Sequence, residues 1–143
     1  DEKIKSVHPF HTAKSVKSIL PKFNYFKQGN CIVHHMFGDS VVEKIKRCYA
    51  NAFHTAHLEV PGEMFELAIE ASHHNKGVIG STSDILRFVE RKAKEAKIGD
   101  KVPIVLGTES GMITSIVSAV QKTLKSRSDF GKNVEVEIIF PVS

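Results

Sequence analysis

The feature that most constrains this chain is a repeated change of period. Short, continuously apolar runs alternate with longer segments in which apolar residues return every three or four positions. Val78-Ile79 and Ile104-Val105-Leu106 do not alternate apolar with polar residues. Strands of that kind are buried on both faces and belong to parallel sheets covered by helices. Helix-length segments between them fit the same picture, because a parallel crossover needs about a dozen residues or more.

Strands are expected at Cys31–His34, Ala52–Leu58, Val78–Ile79 closing at Gly80, Pro103–Leu106 and Val134–Phe140. Asp39 is expected to cap a helix whose inner face carries Val41, Val42 and Ile45. Pro61 suits a helix start, and Met64, Leu67, Ala68 and Ala71 follow as a core-facing stripe. Ser81 or Thr82 caps a third helix, with Ile85, Phe88, Val89 and Lys92 setting its period. A turn at Gly107–Gly111 leads into a fourth, through Met112, Ile113, Ile116, Val117, Val120 and Leu124. Residues 1–30 show no clear period and are punctuated by Pro9, Pro21 and Gly29, so they read as an irregular or weakly helical lead-in. The expected fold is α/β: a parallel sheet with helices on both faces, a three-layer sandwich over residues 31–143, preceded by an interdomain segment at 1–30.

A length of 143 residues fits one compact domain. The net charge of +4 is mild, and the lysines are spread along the chain instead of gathering with aromatics, so nucleic acid is not an expected partner. No apolar run approaches the ~20 residues of a membrane helix. Asp1–Ser6 is polar and unlike a secretory leader. A start at Asp1 instead of Met reads as a processed product or a fragment. The two cysteines, Cys31 and Cys48, are too few for a disulfide framework and suggest a reducing compartment.

In an open parallel sheet, ligands bind outside the carboxyl ends of the strands. The expected strand ends are His34, His57 with Glu59, Gly80-Ser81-Thr82 and Gly107-Thr108-Glu109. Histidine beside a carboxylate suits proton transfer, since each tunes the other; an ion pair closing a strand would look the same. If His57 and Glu59 are both extended, they point to one side. Ser81 and Thr82 at a helix start can hold phosphate or carboxylate, or simply cap the helix. Glu109 would repel an anion. Cys31 is a metal ligand, a nucleophile or a small buried hydrophobe. Cys48, late in a helix, reads as structural, and His73-His74 as surface residues.

Four segments resemble the quinolinate synthase family, in its order and approximate spacing. They are Gly29-Asn30-Cys31-Ile32-Val33-His34, Ala56-His57-Leu58-Glu59-Val60-Pro61, Gly80-Ser81-Thr82-Ser83 and Gly107-Thr108-Glu109-Ser110-Gly111-Met112. The resemblance runs from about Asn24 to Ser143, and His57–Met64 and Val136–Ser143 look closest to plant and algal members. It implies a transferase of NAD biosynthesis that condenses iminoaspartate with dihydroxyacetone phosphate to quinolinate. It implies a [4Fe–4S] cluster held by three cysteines and acting as a Lewis acid. It also implies a fold of three related α/β units, of which this chain is one. By position, Cys31 matches a cluster cysteine, His57 and Glu59 the proton-transfer pair, Ser81 and Thr82 the hydroxyls that hold an anionic group, and His34 a pocket histidine. The family's other two cluster cysteines and its substrate-binding tyrosines have no counterpart here, and Cys48 matches no ligand position. Alone, the chain is therefore expected to bind no stable cluster and to be inactive, needing the missing domains of the same protein. A homodimer is open. The compartment is a plastid for a plant or algal chain and the cytoplasm otherwise. Two alternatives are a non-catalytic α/β module for a small phosphorylated or carboxylate ligand, and a structural subunit of a split enzyme. A dinucleotide-binding domain lacks its G-x-G-x-x-G signature.

Overall fold

A computed structural model describes residues 11–24, 37–60, 62–129 and 131–141. The expected strand Cys31–His34 lies outside the described residues, as does Pro61. A first helix, α1 (Ala13–Ile19), precedes a 3₁₀ turn at Leu20–Lys22. It is held at its start by a capping box between Thr12 and Ser15. Next come α2 (Asp39–Cys48), β1 (Phe53–His57), α3 (Glu63–His73), β2 (Gly77–Gly80) and α4 (Thr82–Glu95). They are followed by β3 (Lys101–Gly107), a 3₁₀ turn at Ser110–Met112, α5 (Ile113–Ser126) and β4 (Glu135–Ile139).

The described strands form one sheet in the order β2-β1-β3-β4, and every pairing is parallel. Helices cover both faces, as the uninterrupted apolar strands require. On one face, Val41, Val42 and Ile45 of α2 and Met64 and Ala68 of α3 pack with Ala56 and Val105 of the sheet. On the other, Ile85, Val89 and Ala93 of α4 and Ile116 and Val120 of α5 pack with Ile104 and Leu106. Strand pleating divides the side chains: Ile104 and Leu106 go one way and Val105 the other.

Two local expectations shift. Gly38, not Asp39, is the N-cap of α2; Asp39 sits in the first turn, where its charge favours the exposed N–H groups without a side-chain cap bond. At the start of α3 the cap is Gly62 at φ 70°, a left-handed conformation that glycine adopts without steric cost. Lys92 lies on the apolar stripe of α4 and is itself buried. Its ammonium stands 4.8 Å from the Phe53 ring centroid and 5.5 Å from that of Phe88, and reaches Glu95 at 3.2 Å. Two aromatic faces and a carboxylate thus replace the water it gives up.

Candidate functional site

The order of the strands locates a crevice. From β1 the chain moves through α3 to β2 on one side; from β3 it moves through α5 to β4 on the other. α3 and α5 lie on opposite faces, so the connections leaving β1 and β3 diverge and open a gap at their carboxyl ends. That is the topological switch point at which open α/β sheets take ligands. The register pairs His57 with Gly80 and Ala56 with Gly107. His57 is therefore flanked by the Gly80–Ser81 strand end and by the Gly107–Thr108 strand end.

β1 stops at His57, and the chain turns back with the Val60 N–H donating to the His57 carbonyl at 3.0 Å. Glu59 therefore lies in a turn and not in extended chain, which corrects the premise on which the pair was expected to share a side. The turn nevertheless brings the two together. The Glu59 N–H donates to His57 Nδ1 at 3.4 Å, and Nδ1 stands 3.9 Å from Glu59 Oε2. When Nδ1 accepts that hydrogen bond, the neutral ring carries its own hydrogen on Nε2. When the ring is protonated, Nδ1 becomes a donor and the Glu59 carboxylate is its nearby counter-charge. One turn therefore serves both protonation states, which suits a proton carrier. The His57 side chain is 19% exposed and that of Glu59 61%.

Ser81 is the N-cap of α4 and Thr82 its first residue. The Ser81 hydroxyl donates to Asp84 Oδ2 at 2.6 Å and the Ser81 N–H donates to the same oxygen at 2.9 Å. In return, the Asp84 N–H donates to Ser81 Oγ at 3.4 Å. These bonds, the hydroxyl first, hold the Asp84 carboxyl below its ordinary range. The carboxylate of this chain thus engages the donors that an anionic ligand would seek at Ser81. The hydroxyl and N–H of Thr82, which is exposed, belong to the same helix start. Asp84 was not singled out from the sequence, although Ser81-x-x-Asp84 carries the spacing of a capping box.

Gly80 and Gly107 are glycines for lack of room. A Cβ on Gly80 would stand 2.6 Å from Asp84 Cβ, and one on Gly107 would stand 2.4 Å from the Thr55 carbonyl oxygen. Thr108 is fully buried, its hydroxyl donating to Met112 Sδ at 3.4 Å, whereas Glu109 is exposed at the same edge. Among the described residues that end these strands or cap the helix after β2 are the carboxylates Glu59, Asp84 and Glu109. Arg87, one turn into α4, lies 3.8 Å from Asp84. An anionic ligand at this edge would need more positive charge than these residues provide.

Cys31 and His34 lie outside the described residues. Cys48 is exposed at the end of α2 as a free thiol, and His73 and His74 are exposed. Among the described residues no three His, Cys, Asp or Glu side chains are grouped to hold a metal ion. The described residues therefore do not fit a [4Fe–4S] cluster by themselves. Among them, also, no helix is long and apolar enough to cross a membrane.

Comparison with known proteins gives the family. The family model described as quinolinate synthetase A protein matches residues 11–130. A chloroplastic quinolinate synthase of Nicotiana tabacum is 54% identical over 148 aligned positions, covering 100% of this chain and 20% of that protein. Its counterpart in Arabidopsis thaliana is 51% identical over all of this chain and 20% of its own length. A quinolinate synthase of Saccharolobus solfataricus is 31% identical over 88 residues, 62% of this chain and 24% of its own. No solved structure matches. The chain spans about a fifth of the length of the plant relatives it matches. With a family model that matches residues 11–130 of its 143, the chain belongs to the quinolinate synthase family.

Proposed function

We propose that this chain is one α/β unit of a quinolinate synthase that condenses iminoaspartate with dihydroxyacetone phosphate to quinolinate, the precursor of NAD. The observation that carries the reading is the meeting of His57 and Glu59 with the start of α4 and the end of β3 at the switch point of the sheet. Joining the two skeletons into an aromatic ring expels phosphate and water. Each departure needs a proton delivered to a leaving oxygen and another removed from carbon or nitrogen. His57 takes and returns such protons at Nε2, while the turn at Glu59 holds Nδ1 in either state. The N–H groups at the start of α4 and the Thr82 hydroxyl hold an anionic group, and Ser81 joins them when its hydroxyl turns from Asp84 to the ligand. His34 is assigned to substrate binding by its position in the family's motif.

In the same reading Cys31 supplies one of three thiolates to a [4Fe–4S] cluster, and the other two come from parts of the protein outside this chain. The excess of carboxylates at the edge agrees with a site completed by other units, which also bring the positive charge that these substrates require. The compartment we assign is a plastid, since the plant relatives are described as chloroplastic.

Quinolinate formation by the intact polypeptide, reconstituted without oxygen with iron and sulfide, tests the reading. The intact protein is expected to accumulate quinolinate, and residues 1–143 alone to make none. Saturable binding of dihydroxyacetone phosphate by the intact protein without turnover would instead favour a non-catalytic binding module.

A further inference from the structure

A second concavity lies at the opposite, amino-terminal edge of the sheet. His54 precedes His57 by three residues on β1, so this region is about 10 Å from the carboxyl edge. A cavity of about 480 Å³ opens there between the ends of α2 and α3, within the size range of small-molecule sites. Its walls are apolar at Ala50, Ala52, Leu67 and Ala71, and its rim carries Lys46, Lys76 and His74 against one carboxylate, Glu70. His54 also lines it.

His54 is the unexplained group. Its side chain belongs to the buried set, with 7% of the residue exposed, yet Nδ1 has no hydrogen-bond partner among the described residues. A buried polar nitrogen without a partner is costly, and an apolar side chain would pack here at no such cost. Burial, and then the charge of Lys76, push the imidazole below its ordinary value, so the ring is neutral at pH 7 and has one donor and one acceptor nitrogen. The two lysines differ. Lys46 is engaged by Glu43 at 3.2 Å and Glu63 at 3.1 Å. Lys76 makes no ion pair among the described residues, and its carbonyl accepts the His54 N–H at 2.9 Å, which places it beside that residue.

We propose that this cavity is a binding site for a small monocarboxylate with a compact apolar body, distinct from the site at the carboxyl edge. The body lies against Ala50, Ala52, Leu67 and Ala71, the carboxylate pairs with Lys76, and the polar ring of His54 faces the ligand from the wall. Lys76, which no carboxylate of the described residues pairs, selects an anion, and the scarcity of polar wall groups disfavours a sugar or a polyphosphate. This proposal is independent of the reaction assigned to the opposite edge.

The probe is 4-fluorobenzoate, observed by ¹⁹F NMR in the presence of the intact protein, with neutral 4-fluorobenzamide beside it. Saturable broadening is expected for the carboxylate and at least about tenfold weaker binding for the amide. Lys76→Ala and His54→Leu should each weaken the carboxylate about tenfold, whereas Glu70→Gln should not weaken it. Lys76 is exposed, so its substitution tests the site even if His54→Leu disturbs folding. Equal binding of the amide, absence of saturation, or unchanged affinity in Lys76→Ala would each overturn the proposal.

Discussion

Replacing Gly107 with alanine should be far more damaging than one methyl group suggests. Gly107 ends β3 opposite Ala56 in β1, and its missing side chain lets the two backbones meet. A Cβ there would stand 2.4 Å from the Thr55 carbonyl oxygen, with Ala56 Cα and Met64 Cε each at 3.1 Å. The oxygen is roughly 1 Å inside the range of ordinary contact, which begins at 3.4 Å. It belongs to a neighbouring strand and cannot rotate aside as a side chain would, so β1 and β3 must separate. Overpacking of a dense core costs about 1–3 kcal/mol, and a backbone obstacle places this substitution at the upper end. For a chain of this size that lowers Tm by about 10 °C or more. Gly111→Ala is the control, because a Cβ at Gly111 meets nothing within 4 Å. Thermal and urea unfolding followed by circular dichroism would compare both with the parent chain. If Gly107→Ala unfolds within about 1 kcal/mol of the parent, the close approach of β1 and β3 described above is wrong.

Further consequences can be measured in the same way. Met64 is fully buried at the start of α3, and Met64→Ala should cost about 2–5 kcal/mol in urea unfolding by opening a cavity beneath Gly107. Thr55 donates from its buried hydroxyl to the Val105 carbonyl at 3.1 Å, so Thr55→Val should cost about 1 kcal/mol while keeping the shape. Acid should weaken the fold in a defined window. Asp129 is held at about 2, from an ordinary 3.8, chiefly by Arg127, whose guanidinium also donates to the Ala93 carbonyl at 2.8 Å. Asp84 is lowered as well, chiefly by the Ser81 hydroxyl. A carboxyl with a depressed folded pKa stabilises the fold above its unfolded pKa and loses that contribution as pH falls through the folded value. Tm should therefore fall between about pH 4 and pH 2, and less steeply in Asp129→Asn.

The sheet was legible because double-sided burial leaves a mark in sequence: apolar runs such as Ile104-Val105-Leu106 could hardly belong to a half-solvated strand. The helix stripes of α2, α3 and α4 were legible for a similar reason, since Val41, Val42, Ile45, Met64, Ala68, Ile85 and Val89 all face the core. Boundaries were less so. The shift of the α2 cap to Gly38 depends on backbone angles that composition does not encode, and β1 ends before Glu59 because the chain turns there. At the candidate site, the residues at the strand ends could be named from sequence, but their order around the crevice could not. That His57 sits between Ser81 and Thr108 follows from the strand order β2-β1-β3, a consequence of long-range pairing. The locking of Ser81 by Asp84 was present in the spacing, but two roles compete for the same hydroxyl. The His54 nitrogen that lacks a partner among the described residues had no sequence signal at all.

The most direct test of the site is the rate of quinolinate formation by the intact protein carrying His57→Asn, measured beside its Tm. Asparagine keeps a polar side chain at the end of β1 but cannot carry a proton between substrate atoms near neutral pH. The account predicts a fall in kcat of about 100-fold or more with an unchanged Tm. Turnover within a few-fold of the parent would contradict it, and would leave His57 and Glu59 as no more than the residues that close a strand.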